Sequence, residues 1–324
     1  MSDLNHGCVA LKIERNLLTA SKKTDLRRLR TEQSHPAAAD LDRKSALEIA
    51  RVINAEDATV AATVRRALPQ IAHGIDLVAA GLRQGGRLIY VGAGTSGRIG
   101  ALDASECPPT FNVDPRTVQY IIAGGPKALD SATEASEDDE KLGRDEMKKR
   151  KPGKHDVVIG IASSGRTPFT VAAIGEARRR GARTIALTCN RKSPLERAAH
   201  FAIVTEVGPE VLAGSSRMKA GTAHKMVLNM ISTGAMTRLG YVYGNLMVNV
   251  VPKNEKLMQR AVGILERATG KDRETAQRTL AASGNRTPVA LVMLITGIDR
   301  AQAISALKKS RGHVRDAIAL VKST

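Results

Sequence analysis

The chain of 324 residues contains no tryptophan, three phenylalanines and four tyrosines, so aromatics make up only 2% of it. Proteins that hold single-stranded nucleic acid by stacking bases on aromatic platforms need more than this. Cysteine is equally scarce. Cys8, Cys107 and Cys189 are an odd count at wide spacing, which excludes a disulfide framework and a zinc-binding Cys motif. No apolar run approaches the ~18 residues of a membrane span, and the N-terminus lacks an apolar signal segment. A soluble, cytoplasmic chain with no membrane partner is therefore expected. Acidic charge is in the minority, with 32 Asp and Glu against 50 Lys and Arg, a formal net charge of +18. The basic residues are dispersed, as at Arg65–Arg66, Lys148–Lys151 and Arg178–Arg180, and no helix-turn-helix is evident. A basic surface suited to anionic small molecules is expected, and no nucleic-acid partner.

What is present is ordinary globular material: 42% hydrophobic and 25% charged, enough for one large or two modest domains. Residues 1–40 read as a basic, poorly ordered N-terminal extension. Residues 41–76 read as helices, with Ser45 as an N-cap, a stripe through Val60, Val64, Leu68, Ile71 and Ile75, and Pro69 dividing the second helix. Over residues 77–240 the grammar changes. Short β-branched runs near 87–93, 117–124, 155–163, 182–190 and 201–207 alternate with helical candidates, notably 127–150 and 167–180. Nearly continuous apolar strands of this kind predict an α/β fold, a parallel sheet covered by helices on both faces. Residues 241–324 read as a small helical C-terminal domain with an internal repeat. TGKDR at 269–273 returns as TGIDR at 296–300, an offset of 27 residues that pairs Ala276 with Ala303 and Leu280 with Leu307. Asp272 and Asp299 are the expected caps of its two helices.

Three hydroxyl-rich loops follow the apolar strands or open helices. The first, Gly92 to Arg98, reads GAGTSGR and formally satisfies G-x-G-x-x-G. A dinucleotide site would want an acid closing the second strand, and Gly124-Gly125-Pro126 stands there instead. Thr95 and Ser96 beside Gly94 suit a phosphate held by hydroxyls and backbone amides at a helix start. The second loop, Ile161 to Pro168, supplies Ser163, Ser164 and Thr167. The third, Ala213 to Lys225, supplies Ser215, Ser216 and Lys219. Three such loops at the carboxyl ends of one parallel sheet describe a pocket for a phosphorylated, hydroxylated ligand. No P-loop occurs.

Two carboxylates stand out beside these loops. Glu106, in LDASECPPTF, leaves the first loop, and Pro108 and Pro109 are expected to stop any helix there. Downstream, SATEASEDDE carries Glu134 and Glu137, which are three apart and positioned to share a face; Asp138 to Glu140 read as solvated. The seven histidines form no metal cluster. His224 is read as a partly buried residue on the helix after the third loop, and Cys107 has no evident His partner for thiol catalysis.

GAGTSGRIGALDASECPPTF, IASSGRTP, GSSRMKAGTAHK and YGNLMVNV closely resemble the N-acetylmuramic acid 6-phosphate etherases, members of the sugar isomerase (SIS) family of phosphosugar-binding domains. The resemblance runs from about Thr31 nearly to the C-terminus. It implies an SIS-type core and a carbon–oxygen lyase without metal or other cofactor. It further implies cleavage of the D-lactyl ether of N-acetylmuramic acid 6-phosphate, giving N-acetylglucosamine 6-phosphate and D-lactate in cell-wall sugar recycling. By the same resemblance Glu106 is the proton donor and Glu137, rather than Glu134, the second catalytic Glu. Ala135 departs from the usual residue after the first Glu of that segment. A homodimer with active sites near the subunit interface is also implied. The chemistry suits two carboxyl groups in opposed protonation states: one removes the C2 proton next to the C1 aldehyde, and the other protonates the departing lactyl oxygen. A phosphosugar-binding regulator and an aldose–ketose isomerase are the alternative readings; neither needs a positioned leaving-group acid.

Overall fold

The computed structural model describes residues 29–131, 134–250, 252 and 254–323. The first segment is helical: α1 (Ala46–Asp57), α2 (Val60–Arg65) and α3 (Leu68–Arg83). Ser45 opens α1 with a capping box, its hydroxyl accepting from Glu48 N while the Glu48 carboxylate accepts from Ser45 N at 2.8 Å. Pro69 lies in the first turn of α3, where its missing N–H costs no bond, so the expected long helix is divided there.

The α/β core then alternates β1 (Leu88–Gly92), α4 (Gly94–Phe111), β2 (Val118–Ile122), α5 (Glu140–Arg150), β3 (Val157–Ile161), α6 (Pro168–Arg179), β4 (Arg183–Thr188), α7 (Pro194–Ala198), β5 (Phe201–Val204) and α8 (Lys219–Arg238). The five strands pair in the order β2-β1-β3-β4-β5, every pairing parallel. Alternation along the strands divides the core. Leu88, Tyr90, Ile159 and Ile185 pack with residues of α3, α4 and α8 on one face. Ile89, Val91, Val158 and Ala186 pack with α5, α6 and α7 on the other. Covering both faces is what lets the strands be apolar throughout. Asp103 ties the first face together, accepting from Tyr90 Oη at 2.7 Å, Asn229 Nδ2 at 2.7 Å and Ser232 Oγ at 3.1 Å.

Two expected features take a different form. Pro108 and Pro109 do not stop the helix: α4 runs through both to Phe111, and Asn112, at φ 54°, ends it. Prolines in a last turn remove only N–H bonds to Ala104 and Ser105, a loss the packing of α4 against β1, β2 and α8 outweighs. The helix expected over 127–150 is instead a short 3₁₀ turn at Pro126–Leu129, another at Glu134–Ser136, and α5 from Glu140, which Asp139 caps through Leu142 N at 2.8 Å.

Beyond Pro252 come α9 (Glu255–Thr269), α10 (Arg273–Ala282), α11 (Thr287–Thr296), α12 (Arg300–Lys309) and α13 (Val314–Lys322), around a core of their own. Asp272 and Asp299 cap α10 and α12, and Ala276, Leu280, Ala303 and Leu307 are buried in that core. No single helix among the described residues is long and apolar enough to cross a membrane.

Candidate active site

Parallel strands all deliver their carboxyl ends to one edge of the sheet, and the loops leaving β1 and β3 meet there. Between them lies a cavity of about 430 Å³ lined by Gly94, Thr95, Ser96, Arg98, Glu137, Ser163, Ser164, Thr167, Gly214 and Ser216, with Thr31 and Glu32 from the N-terminal segment. Among the described residues, the hydroxyls of Thr95, Ser96, Ser163, Thr167 and Ser216 make no hydrogen bond within the chain. That of Ser164 accepts from Arg166 N at 3.2 Å. Unpartnered hydroxyls gathered in one cavity are donors and acceptors left for a ligand.

The glycines shape the first loop. A Cβ on Gly97 would lie 2.6 Å from Ile122 Cγ1 and 2.9 Å from Gly92 O, so glycine lets α4 start against the sheet. Ala93, the residue before α4, offers no side-chain cap, which leaves first-turn N–H groups facing the cavity. Gly94 takes φ 49°, and a Cβ there would come 3.0 Å from Glu137 Oε1. Glu137 is held in turn by its own backbone: its carbonyl accepts from Phe169 N at 3.0 Å, tying the segment before α5 to the start of α6. The second loop rests on the Ser163 carbonyl, which accepts from Cys189 N at 3.0 Å, Asn190 Nδ2 at 2.9 Å and Thr188 Oγ1 at 3.2 Å.

Other candidates lie elsewhere. Glu106 is exposed on α4, eight residues beyond Arg98, the last residue of that helix to line the cavity, and so roughly 12 Å further along the helix axis. It does not stand beside the phosphate loop of its own chain. Ser215 does not line the cavity although its neighbour Ser216 does. Lys219 is 2% exposed and gives its ammonium to Glu56 Oε2 at 2.7 Å, a buried tie between α8 and α1 rather than a free cation. Glu134 begins the 3₁₀ turn that ends just before Glu137. His224 is fully buried, not at the surface: its Nε2 meets Cys189 Sγ at 3.6 Å, and burial pushes its pKa down to about 4. Burial pushes the Cys189 and Cys107 thiols up to about 12, which keeps both protonated.

Four participants escaped the sequence reading. Arg98 closes the GAGTSGR motif, and its guanidinium holds the Pro126–Leu129 turn through Leu129 O at 3.2 Å and Ser131 O at 3.0 Å. Glu210, fully buried, accepts from Lys219 N and Ala220 N, both at 2.9 Å, and so caps α8; burial raises its pKa while these N–H groups pull the other way. Thr31 and Glu32 belong to the segment expected to be poorly ordered. Residues 1–28 lie outside the described residues; of residues 29–40, Leu29 and Thr31 are buried and most of the others are exposed.

Comparison with known proteins agrees with the fold. Residues 70–177 match the glucokinase regulatory protein N-terminal SIS domain family, and residues 146–233 the SIS domain family. N-acetylmuramic acid 6-phosphate etherase 2 of Vibrio parahaemolyticus is 48% identical over 91% of this chain and 99% of its own. N-acetylmuramic acid 6-phosphate etherase 1 of Bacillus licheniformis is 46% identical over 91% and 97%. The N-acetylmuramic acid 6-phosphate etherase of Streptomyces avermitilis is 48% identical over 92% and 96%. Identity of this extent over nearly the whole of both chains, on an SIS-type sheet with its loops gathered at one edge, places this chain in the N-acetylmuramic acid 6-phosphate etherase family.

Proposed function

We propose that the cavity at the carboxyl edge of the sheet binds N-acetylmuramic acid 6-phosphate and that the chain cleaves its D-lactyl ether as a carbon–oxygen lyase. The observation that carries this reading is the Glu137 carboxylate standing in one cavity with five unpartnered hydroxyls and the open N-terminus of α4. Hydroxyls and amide N–H groups suit the phosphate, and anchoring it holds the reacting carbons in place.

In the open-chain sugar, Glu137 takes the C2 proton, acidified by the C1 aldehyde. The electron pair then expels the lactyl oxygen from C3, and Glu106 protonates it, releasing D-lactate. Water adds to the unsaturated aldehyde at C3, and a proton returns to C2. The sum is ether plus water giving N-acetylglucosamine 6-phosphate and lactate. An alkoxide leaves poorly unprotonated, which is why an acid opposite the base is needed.

Glu106 cannot serve the cavity of its own chain, so a homodimer is part of the proposal: each cavity receives Glu106 of the partner subunit. An apolar groove of about 670 Å³ between α3 and α8, lined by Leu68, Ile71, Ile75, Met226 and Met230, is the proposed contact surface. Asn229 lines this groove and donates to Asp103 on α4, so the groove adjoins the helix that bears Glu106 and the exposed Leu102. The buried, unbridged Cys107 and Cys189 suit a reducing compartment, and the cytoplasm is the proposed location.

The test is incubation of the chain with N-acetylmuramic acid 6-phosphate and enzymatic measurement of D-lactate and N-acetylglucosamine 6-phosphate. Equal amounts of both are expected. Isomerised phosphosugar, or bound but unchanged substrate, would replace this reading with one of the alternatives.

A further inference from the structure

The cavity contains a second carboxylate that neither the mechanism nor the sequence motifs assign. Glu32 reaches it from the N-terminal segment and lines it together with Glu137. The two are placed alike. Glu137 lies over Gly94, and Glu32 lies over Gly214, which takes φ 76° and where a Cβ would come 3.0 Å from Glu32 Oε2. Each carboxylate therefore occupies space that a glycine leaves open.

The delivery of Glu32 is built rather than incidental. The short turn Arg30–Glu32 is anchored just before it: Leu29 and Thr31 are buried, Thr31 O accepts from Gly214 N at 3.2 Å, and Thr31 Oγ1 accepts from Asn190 Nδ2 at 3.4 Å. Asn190 also holds the Ser163 carbonyl, so the segment is tied to the third and second hydroxyl loops together. Further along, His35 Nε2 meets Glu56 Oε2 at 3.1 Å, and Glu56 is itself paired with the buried Lys219. Yet among the described residues the Glu32 carboxylate has no hydrogen-bond or ion-pair partner of its own. A carboxylate carried into a binding cavity by this many anchors, and left unpaired there, is available to a ligand.

We infer that Glu32 is a ligand-contacting residue that accepts a hydrogen bond from a hydroxyl or amide hydrogen of the sugar and fixes which way the phosphosugar enters. An ionised carboxylate only accepts hydrogen bonds. It repels the phosphate and the lactyl carboxylate, so it faces the neutral, hydroxylated part of the ligand while the hydroxyl loops take the phosphate. This rests on the phosphosugar reading of the same cavity but concerns binding, which is measurable without turnover.

Calorimetric titration of the full chain and its Glu32→Gln variant with N-acetylglucosamine 6-phosphate and with inorganic phosphate separates the possibilities, with thermal midpoints as a check on folding. The expected result is about tenfold weaker binding of the sugar phosphate by Glu32→Gln, as befits loss of a charged hydrogen bond, with phosphate affinity undiminished or raised, because the repelling charge is gone. Unchanged affinity for both probes overturns the inference. Equal loss for both also overturns it, making Glu32 an anchor of the segment rather than a ligand contact. If the unaltered chain binds the sugar phosphate and the tenfold loss is seen, but no lactate is released from substrate, the inference stands and the etherase reading falls. No sugar-phosphate binding by the unaltered chain overturns both.

Discussion

The position of Glu106 about 12 Å along α4 beyond the lining of its own cavity leads to a complementation experiment with a numerical outcome. Glu106→Gln chains keep Glu137, and Glu137→Gln chains keep Glu106. If each cavity takes Glu137 from one chain and Glu106 from the other, a mixed dimer has one complete cavity and one lacking both carboxylates. Random pairing at equal expression makes half of the dimers mixed, so about one quarter of all cavities are complete. Co-expressed variants, purified with two different tags and assayed for D-lactate, should recover about one quarter of the unaltered rate per chain, and about one half after selection for both tags. Each variant alone should fall at least about a hundredfold, the contribution expected of a positioned acid or base. Activity of the mixed dimers no higher than the parents alone would show that the two carboxylates act within one chain, and would refute the shared site.

Three further outcomes follow from the geometry. Glu137→Gln should lower kcat by about two orders of magnitude while binding N-acetylglucosamine 6-phosphate within a fewfold of the unaltered chain, since it removes the base and leaves the hydroxyl loops. Gly97→Ala should destabilise the fold by about 1–3 kcal/mol in denaturant unfolding, because its Cβ would have to displace Ile122 and the Gly92 carbonyl. His224, lowered by burial to about 4 from an ordinary 6.5, gives a stability that falls on acidification. Below 6.5 the unfolded chain takes up a proton that the folded chain refuses until about pH 4. Its contribution is therefore absent above about pH 6.5 and grows to a loss of about 3 kcal/mol by pH 4. Unfolding midpoints across that range should slope accordingly, and the slope should flatten in His224→Gln.

The sheet was legible because its strands are buried on both faces. Nearly continuous Val, Ile and Leu between glycine-rich breaks is the pattern that strands covered on both sides impose. The hydroxyl loops were legible as loops because each interrupts an apolar run or opens a helix. What escaped depended on partners far away in sequence. Lys219 reads as a free cation until Glu56, 163 residues earlier, is brought against it. Glu32 sits in a polar, basic stretch with no periodicity, and only its neighbours' contacts with Gly214 and Asn190 give it a fixed place. His224 on a long apolar helix gave no sign of whether it faced Cys189 or solvent. The paired prolines of α4 misled because a local rule yields where a helix end is packed on all sides.

The proposed chemistry turns on one carboxylate removing the C2 proton, after which the C3–O bond to lactate breaks. Turnover of N-acetylmuramic acid 6-phosphate in H₂¹⁸O, followed by mass analysis of both products, reports which bond is cut. Elimination and re-addition of water predict ¹⁸O at C3 of N-acetylglucosamine 6-phosphate and unlabelled hydroxyl oxygen in D-lactate. Label in the lactate hydroxyl, with none at C3, would mean that the bond on the lactyl side is cut, and would contradict the mechanism.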